Sequence, residues 1–466
     1  MKRSLAVGTA AVGLLALTLG ACSSGGGGGT SSSASSGGGG GTSSSAAGAA
    51  GSCTNKIVKP GAKQVTVWAW FPAFEQVVDL FNKSHNDVQI CWSNAGQGKQ
   101  EYTKFSIAVE AGTGAPDVVM LETDTLSSFT IRKALVDLSK YGAADVKKNY
   151  YDRVWKDVSS GDAVYAIPVD GGPMGMFYRK DLFDKAGITT PPTTWDEFAV
   201  DAQKMRDSGS KALFTDFPTN GGAYLQALFA QKGSAPYTYT ASNATDVSIK
   251  LNDQGSKDVM KYWQGLVNKG LVGTDDTFTT DYNTKVVDGS YAVCLTAAWG
   301  SGYLSGLSGT DPTAVWKAAP IPQWSASSPV QINWGGSTLA VTSQAKDKTA
   351  AATVAKEVFG TEAAWKIGIE KGAMFPLWKP ILESSYFTDL AYPFFGGQKI
   401  NQDVFLKAAQ GYKGFTWSPF QNFAYDKLTE EANAAVVQKT KSTDDAIDSL
   451  QKAVVDYAKS QGFTVK

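Results

Sequence analysis

The chain has 466 residues, and 43 Lys or Arg balance 43 Asp or Glu to give a formal net charge of zero. A neutral chain without a basic run argues against nucleic-acid binding, and a single histidine, His85, excludes histidine-based catalytic triads and histidine-rich metal sites. The residues after position 52 are too many for one ordinary core, so two lobes or more are expected. No G-x-S-x-G, P-loop or G-x-G-x-x-G motif is present, and neither a cofactor nor a metal is expected.

Residues 1–21 are typical of an export signal, with two basic residues after Met1 and an apolar core at 5–19. That core is shorter and richer in small residues than is typical of a transmembrane helix. It ends Leu-Gly-Ala-Cys at Cys22, which resembles the bacterial lipobox, where the signal is cleaved before a cysteine that becomes acylated. An ordinary signal peptide cut near Ala21 is the alternative. Residues 22–52 are then a lipid-anchored Gly/Ser linker with a span of roughly 30 Å.

Three cysteines follow the linker: Cys53, Cys91 and Cys294. An exported chain permits disulfides. We expect a Cys53–Cys91 bond because both residues flank early strands that should be neighbours. Cys294 lies in the apolar run 291–295 and is expected to be a buried free thiol.

Strands and helices alternate in the first unit of the chain. Strands are predicted at 64–70, 88–92 and 117–121, and helices from Pro72 onward and at 100–111. In the first helix, Phe74, Val77, Val78 and Phe81 are spaced i, i+3, i+4 and i+7 and form an apolar stripe. This alternation predicts an α/β lobe with a largely parallel sheet. Ligands of such sheets lie beyond the carboxyl ends of the strands. The residues at that edge are Trp70, Phe71, 94–97 and 122–124.

Several local signals follow one another between residues 161 and 198. Residues 163–169 predict a strand, which Pro168 and the Asp-Gly-Gly-Pro sequence at 170–173 should break. An apolar run resumes at 174–178, so the chain is expected to cross here between two lobes and to border a ligand cleft. Thr194 and Glu197 predict a capping box that opens the next helix.

The second unit is predicted to contain a strand at 291–295 that leads to Trp299, after helices at 223–231 and 257–268. Residues 316–322 and 372–380 predict a second and a third crossing. A strand at 338–342 and a helix at 348–359 lie between them. Helices at 423–438 and from 442 or 443 onward end the chain.

Seven segments together resemble one family. They are VTVWAW, DLFNKSHNDVQI, AGTGAPDVVML, ALVDLSKY, AVYAIPV with MFYRKDLFDKAGITTPPTTWDEF, DGSYAVCLTAAWG, and GGSTLAVTSQAKDKTAAATVAKEV. In order and spacing they resemble the extracellular solute-binding proteins of ABC sugar importers (family 1), nearest to the maltose-binding-protein-like subgroup. The resemblance covers essentially all of residues 63–466.

The resemblance implies an α/β, two-lobe, periplasmic-binding-protein-like fold. Each lobe would be a mixed or parallel sheet flanked by helices, and a hinge would close the cleft around the ligand. The expected N-terminal lobe is 53–169 plus 322–375, and the expected C-terminal lobe is 170–321 plus 376–466.

The resemblance also implies how sugar is held, by aromatic stacking and by carboxylates or amides that bond hydroxyls. The substrate-binding candidates it carries over most directly are Glu122, Asp124, Asp170, Gly171, Gly172 and Trp299. Weaker candidates, for which core packing is the open alternative, are Trp70, Phe71, Trp334, Gly335, Gly336, Trp378, Trp417 and Phe420. The glycines at 171 and 172 could also simply serve a turn.

The function implied is that of an extracytoplasmic receptor that delivers a di- or oligosaccharide to the permease subunits of an ABC importer. It would be a monomer, lipid-anchored through Cys22 to the outer face of the bacterial cell membrane, and would catalyse no reaction. Two alternatives remain open: a secreted glycosidase using Glu122 and Asp124, and a lipoprotein that binds polysaccharide without transport.

Overall fold

A computed structural model describes residues 53–239, 245–307 and 313–466. The predicted signal segment, Cys22 and the linker lie outside the described residues. The strands are β1 (Lys63–Trp68), β2 (Val88–Ser93), β3 (Val118–Glu122), β4 (Ser159–Ser160), β5 (Ala163–Val164), β6 (Ile167–Arg179), β7 (Tyr237–Tyr239), β8 (Asp246–Ile249), β9 (Val293–Ala297), β10 (Trp316–Pro320), β11 (Asn333–Val341) and β12 (Thr464–Val465).

The α-helices alternate with the strands in the first part of the chain and predominate after β11. They are α1 (Phe74–Ser84), α2 (Lys99–Ala111), α3 (Leu126–Thr130), α4 (Asp152–Asp157), α5 (Lys180–Lys185), α6 (Trp195–Asp207), α7 (Gly222–Gln231), α8 (Gln254–Asn268), α9 (Thr280–Val287), α10 (Gly300–Gly306), α11 (Lys348–Glu357), α12 (Glu362–Gly372), α13 (Lys379–Leu382), α14 (Ser385–Thr388), α15 (Leu406–Gly411), α16 (Gln421–Ala432) and α17 (Thr443–Ser460). The predicted α/β class is therefore confirmed. No helix among the described residues has the length and apolar composition needed to cross a bilayer.

Local sequence signals account for where several helices begin and which face they bury. The apolar stripe predicted for α1, with Phe74, Val77 and Phe81 among its members, is buried. The predicted capping box is present at α6, where the Thr194 side chain accepts from the backbone N–H of Glu197 and the Glu197 side chain accepts from that of Thr194.

The largest sheet among the described residues has the strand order β10-β6-β11-β3-β1-β2, and β9 also pairs with β6. β1 is parallel to both β2 and β3, whereas β11 is antiparallel to β3 and β6. The first part of β6 pairs with β11, and its last residues pair with β9 and β10. β6 therefore links the half of the sheet built on β1–β3 to the half built on β9 and β10.

The predicted break at residues 170–173 is wrong, because β6 runs through them as one strand of 13 residues. Gly171 and Gly172 do not form a turn; they allow neighbouring residues to pack closely against the β6 backbone. A Cβ on Gly172 would lie 2.1 Å from the carbonyl oxygen of Trp334, and one on Gly171 would lie 2.8 Å from Cδ2 of Leu377. The sequence prediction treated the glycines as points of backbone flexibility, but here they leave space for Trp334 of β11 and for the Leu377 side chain.

The predicted second crossing at 316–322 is also wrong in position. β10 pairs only with residues 175–179 of β6, so it stays within one half of the sheet. The chain returns through β11, which pairs with β6 at one end and with β3 at the other. Residues of the predicted third crossing do run beside β6: Gly171 N donates to Phe375 O at 2.8 Å and Leu377 N donates to Val169 O at 2.9 Å.

Two hydrophobic cores lie on either side of these crossing strands. One contains side chains of β1–β3, α1, α11 and α12, together with Ile381, Leu382 and Phe405. The other contains side chains of α6, α7, α8, α16 and α17. The exact boundaries expected for the two lobes stay a prediction. Cys53 and Cys91 form a disulfide between the segment before β1 and β2, and Cys294 is a buried free cysteine.

Candidate ligand-binding site

Two carboxylates stand at the carboxyl end of β3, where the buried strand gives way to the single 3₁₀ turn Thr123–Thr125. Glu122 Oε2 accepts a hydrogen bond from the Tyr102 hydroxyl at 3.0 Å. Asp124, which is 8% exposed, accepts from the Tyr425 hydroxyl at 2.8 Å through Oδ2. Its second oxygen, Oδ1, is buried without a hydrogen-bond partner among the described residues. Asp124 Oδ1 is therefore free to accept a further hydrogen bond, which is unusual for a buried carboxylate oxygen.

A third carboxylate, Asp170, approaches from β6, and its Oδ1 accepts from the Phe375 backbone N–H at 2.7 Å. Burial raises its pKa to about 7, against the opposing effect of the Phe375 and Gly171 amides. Burial also raises the pKa of Glu122, to which the neighbouring charges of Asp124 and Asp170 add. The pKa of Asp124 is raised by burial and is partly restored by the Tyr425 hydrogen bond.

The glycines of the crossing strands bring these acids close to an indole ring. A Cβ on Gly335, whose φ is +75°, would lie 3.3 Å from Glu122 Oε1 and 3.6 Å from Trp299 Nε1. The Trp299 Nε1 donates to the Trp334 carbonyl oxygen at 3.2 Å. On the other side, Thr123 Oγ1 donates to the Gly336 carbonyl oxygen at 2.9 Å. The loop after β3, the end of β9 and the start of β11 thus meet at one place.

Aromatic rings gather around Trp299. Its ring centroid is 5.2 Å from that of Trp334, and Phe278 lies 5.9 Å from both rings. Tyr224 contacts Trp334 edge-on at 5.5 Å. Phe278 is 45% exposed and has a positive φ of 67°, an uncommon conformation for a large side chain. The sequence pattern did not single out Phe278.

A cleft of about 740 Å³ opens beside the turn that carries Asp124. One wall contains Thr123, Ser127 and residues 156–161, and another contains residues 233–237 and 411–417. Its aromatic lining includes Tyr165, Tyr239, Phe415 and Trp417, and the last two rings lie 4.4 Å apart. At the edge of this cleft, Ser127 Oγ donates to the Ser418 carbonyl oxygen at 2.7 Å.

The structure separates the remaining predicted site residues. Trp417 lines the cleft. Trp70 contacts Tyr102 edge-on at 5.8 Å, and Tyr102 in turn donates a hydrogen bond to Glu122. Phe71 packs against Phe74 and Phe359 in the first core, and Phe420 lies in the second. Trp378 is partly buried where α13 begins and packs against the first core. For Phe71, Phe420 and Trp378 the contacts are those of core packing, the alternative that the sequence left open.

The sequence missed three tyrosines of the site: Tyr165, Tyr239 and Tyr425. They are far apart in the chain and none follows a predicted sheet-edge strand, so no local pattern marks them. Tyr425 lies on the face of α16 that meets Asp124, and the helical periodicity alone does not distinguish that face from the core. Among the described residues, no three His, Cys, Asp or Glu side chains are placed to hold a metal ion.

The chemistry of this arrangement suits a neutral polyhydroxylated ligand. Carboxylate oxygens that lack partners accept O–H hydrogen bonds, and aromatic faces cover apolar C–H surfaces. Clefts of about 300–1,000 Å³ are typical of small-molecule sites.

Comparison with known proteins agrees with this geometry. The family model described as bacterial extracellular solute-binding protein matches residues 69–365. The chain is similar to a binding protein of Brucella abortus (strain 2308), 25% identical over 201 residues, which are 42% of this chain and 47% of that protein, so it spans about half the length of that relative. It is also similar to the arabinooligosaccharide-binding protein of Bacillus subtilis (strain 168), 25% identical over 62% of this chain and 67% of that protein.

Among solved structures, the chain is similar to the ABC transporter associated binding protein from B. animalis subsp. lactis Bl-04 in complex with β-1,6-galactobiose. The two are 30% identical with a TM-score of 0.77, and the match covers 87% of this chain and all of that one.

Proposed function

The chain belongs to the bacterial extracellular solute-binding protein family, and from that premise we propose that it is an extracytoplasmic receptor that binds a carbohydrate and delivers it to an ABC importer. The observation that carries the proposal is the convergence of Glu122, Asp124, Asp170 and Trp299 near Gly335 and Gly336, next to the turn whose Thr123 lines a cleft of about 740 Å³. The structural relative that is 30% identical was solved with a disaccharide, which supports the same class of ligand.

In this proposal the sugar binds between the aromatic walls, with Asp124 and Glu122 accepting hydrogen bonds from its hydroxyls. The unpartnered Oδ1 of Asp124 gains a donor when a hydroxyl arrives. Trp299, Trp334 and Trp417 cover apolar ring faces. The volume of the cleft and the aromatic rings that line it, among them Tyr165, Tyr239 and Trp417, fit a di- or oligosaccharide better than a single sugar unit.

The same residues would couple binding to closure. β6, β11 and residues 374–377 cross together between the two halves of the sheet, and so form the natural hinge. Hydrogen bonds from Tyr425 to Asp124 and from Ser127 to Ser418 already join the segment after β3 to α16 and the residues before it. A bound sugar that contacts both walls would add to these contacts and favour the closed state, which the permease subunits would recognise.

Membrane attachment through Cys22 is part of the proposal and concerns residues outside the described part of the chain. We expect that Cys22→Ser releases the protein from the cell membrane into the medium, measured by fractionating cells that express each form. Retention of the Cys22→Ser protein in the membrane fraction would contradict attachment through this thiol.

Titration calorimetry with β-1,6-galactobiose, lactose, maltose and an arabinooligosaccharide tests the function. We expect at least one sugar to bind and to raise the melting temperature, because a ligand of the native state stabilises it. Chromatography of the incubated sugars should recover them intact. Failure of every sugar to bind would refute the receptor proposal, and cleaved products would replace it with the glycosidase alternative.

A further inference from the structure

A second, much smaller cavity of about 20 Å³ lies beneath the aromatic rings of the site. Trp334, Phe278 and Tyr224 line it on the side of those rings, and Thr215, Asp216 and Thr296 supply polar walls. A cavity needs a volume of roughly 10–15 Å³, measured in the same way, to hold one water molecule. It therefore has room for one water-sized polar group and little more.

Three polar side chains that line this cavity are buried and have oxygen atoms that make no hydrogen bond among the described residues. Thr215 is 1% exposed, and Asp216 and Thr296 are each 6% exposed. Thr215 Oγ1, Asp216 Oδ2 and Thr296 Oγ1 have no hydrogen-bond partner among the described residues. Buried polar atoms nearly always have partners, so three such atoms around one cavity indicate a missing hydrogen-bonding group.

The backbone around these side chains holds them in place. Gly273 N donates to the Thr215 carbonyl oxygen at 2.9 Å, and Phe217 N donates to the Gly273 carbonyl oxygen at 2.8 Å. Thr296 belongs to β9, whose pairing with β6 fixes its direction. At the rim, Asn220 Nδ2 donates to the Thr277 carbonyl oxygen at 3.0 Å and so holds the residue before Phe278. Hydrogen bonds between backbone segments therefore fix the positions of the residues that line the cavity.

Asp216 has no ion pair with a basic side chain among the described residues. Lys285, whose charge acts on Asp216, is held by both carboxylate oxygens of Asp275 at 2.7 Å. Burial raises the pKa of Asp216 to about 7, with the charge of Asp275 adding to the effect and Lys285 opposing it. Near neutral pH the carboxyl group can thus accept or donate a hydrogen bond, as a hydroxyl partner requires.

Resting on the receptor function proposed above, we propose that this cavity is a specificity pocket in which Thr215, Asp216 and Thr296 bind one hydroxyl group of the carbohydrate. The sugar ring that carries the hydroxyl lies against Trp334 and Phe278. A hydroxyl donates to Asp216 Oδ2 and accepts from a threonine hydroxyl, and a water molecule fills the same place before the sugar binds. A bulkier substituent at that position, such as an acetamido group, does not fit.

The test measures sugar affinity by calorimetry for the wild type, Thr296→Val and Asp216→Asn, with the tightest binder among β-1,6-galactobiose, lactose and maltose. Thr296→Val keeps the shape of the side chain and removes its hydroxyl, so it should fold even where Asp216→Asn does not. Glu101→Gln is the matched control, because Glu101 is also fully buried with unpartnered oxygens but does not line this cavity. We expect Thr296→Val and Asp216→Asn to weaken binding tenfold or more, and Glu101→Gln to leave it unchanged.

A set of monodeoxy analogues of the same sugar identifies the inserted hydroxyl. One analogue should bind the wild type as weakly as Thr296→Val binds the parent sugar, and should lose nothing further in Thr296→Val. Wild-type affinity in both cavity variants would overturn the pocket while leaving the receptor function standing. If no sugar binds the wild type, the receptor function and the pocket both fail.

Discussion

Gly172→Ala tests the close crossing of β6 and β11 that organises the site. The added Cβ would lie 2.1 Å from the Trp334 carbonyl oxygen and 2.9 Å from that of Gly335, whereas ordinary van der Waals contacts begin at 3.4 Å. Both contacts are to backbone, so a strand must move by about 1 Å or more to accommodate the methyl group. Overpacking of this kind costs about 1–3 kcal/mol, and a backbone obstacle places the cost near the upper end of that range.

The alanine also restricts the unfolded chain, which offsets roughly 0.4–1 kcal/mol of that cost. We therefore expect Gly172→Ala to lower the free energy of unfolding by about 2 kcal/mol. Because Trp299 bonds to the carbonyl oxygen that must move, sugar affinity should fall as well.

Urea denaturation followed by circular dichroism measures the stability, and calorimetry measures sugar binding. Gly265→Ala is the matched control, since this glycine lies inside α8 and a Cβ there meets no atom within 4 Å. The control should gain about 0.5–1 kcal/mol from helix propensity. A Gly172→Ala protein as stable as the wild type would show that β6 and β11 are farther apart than described.

Three further predictions concern the site and its scaffold. Trp299→Ala should weaken sugar binding by about 1–3 kcal/mol by calorimetry with little change in the melting temperature of the unliganded protein, whereas a large loss of that stability would make Trp299 a core residue. Lowering the pH from 8 to 5 should raise the melting temperature of the unliganded protein. The pKa of Asp170 is raised to about 7 in the native state from 3.8, so the native carboxyl binds its proton at a higher pH than the unfolded chain does. Asp170→Asn should reduce this rise in melting temperature, and an equal rise in the variant would contradict the raised pKa of Asp170. Replacing Cys53 and Cys91 by serine should destabilise the protein by about 3–4 kcal/mol in denaturant titrations, since the bond closes a loop with a sequence separation of 38, and an unchanged unfolding midpoint would argue against a structural role for the disulfide.

Local patterns in the sequence predicted much of the fold. The spacing of Phe74, Val77 and Phe81 defined the buried face of α1, and Thr194 with Glu197 marked the start of α6. Such signals depend on residues within one or two turns of each other, so the chain itself carries them. The order of motifs also predicted the family, which the match over residues 69–365 confirms.

The same local reasoning failed at Asp170–Pro173, where glycine and proline usually signal a turn. Whether a glycine provides backbone freedom or space for a neighbour depends on what passes beside it. Here the neighbours are Trp334 and Leu377, more than 150 residues farther along the chain. No property of the segment itself distinguishes the two cases.

By itself, the sequence determined much of the secondary structure, the family and the two acids at the end of β3, because local patterns and the order of motifs along the chain carry this information. Only the tertiary structure decided which side chains share a surface. It brought Asp124 to Tyr425, placed Trp417 on a cleft with Tyr165, and enclosed Asp216 with Thr296 in one cavity. The sequence could not predict such long-range pairs, because burial and hydrogen-bond satisfaction are properties of the folded environment and not of the residue types.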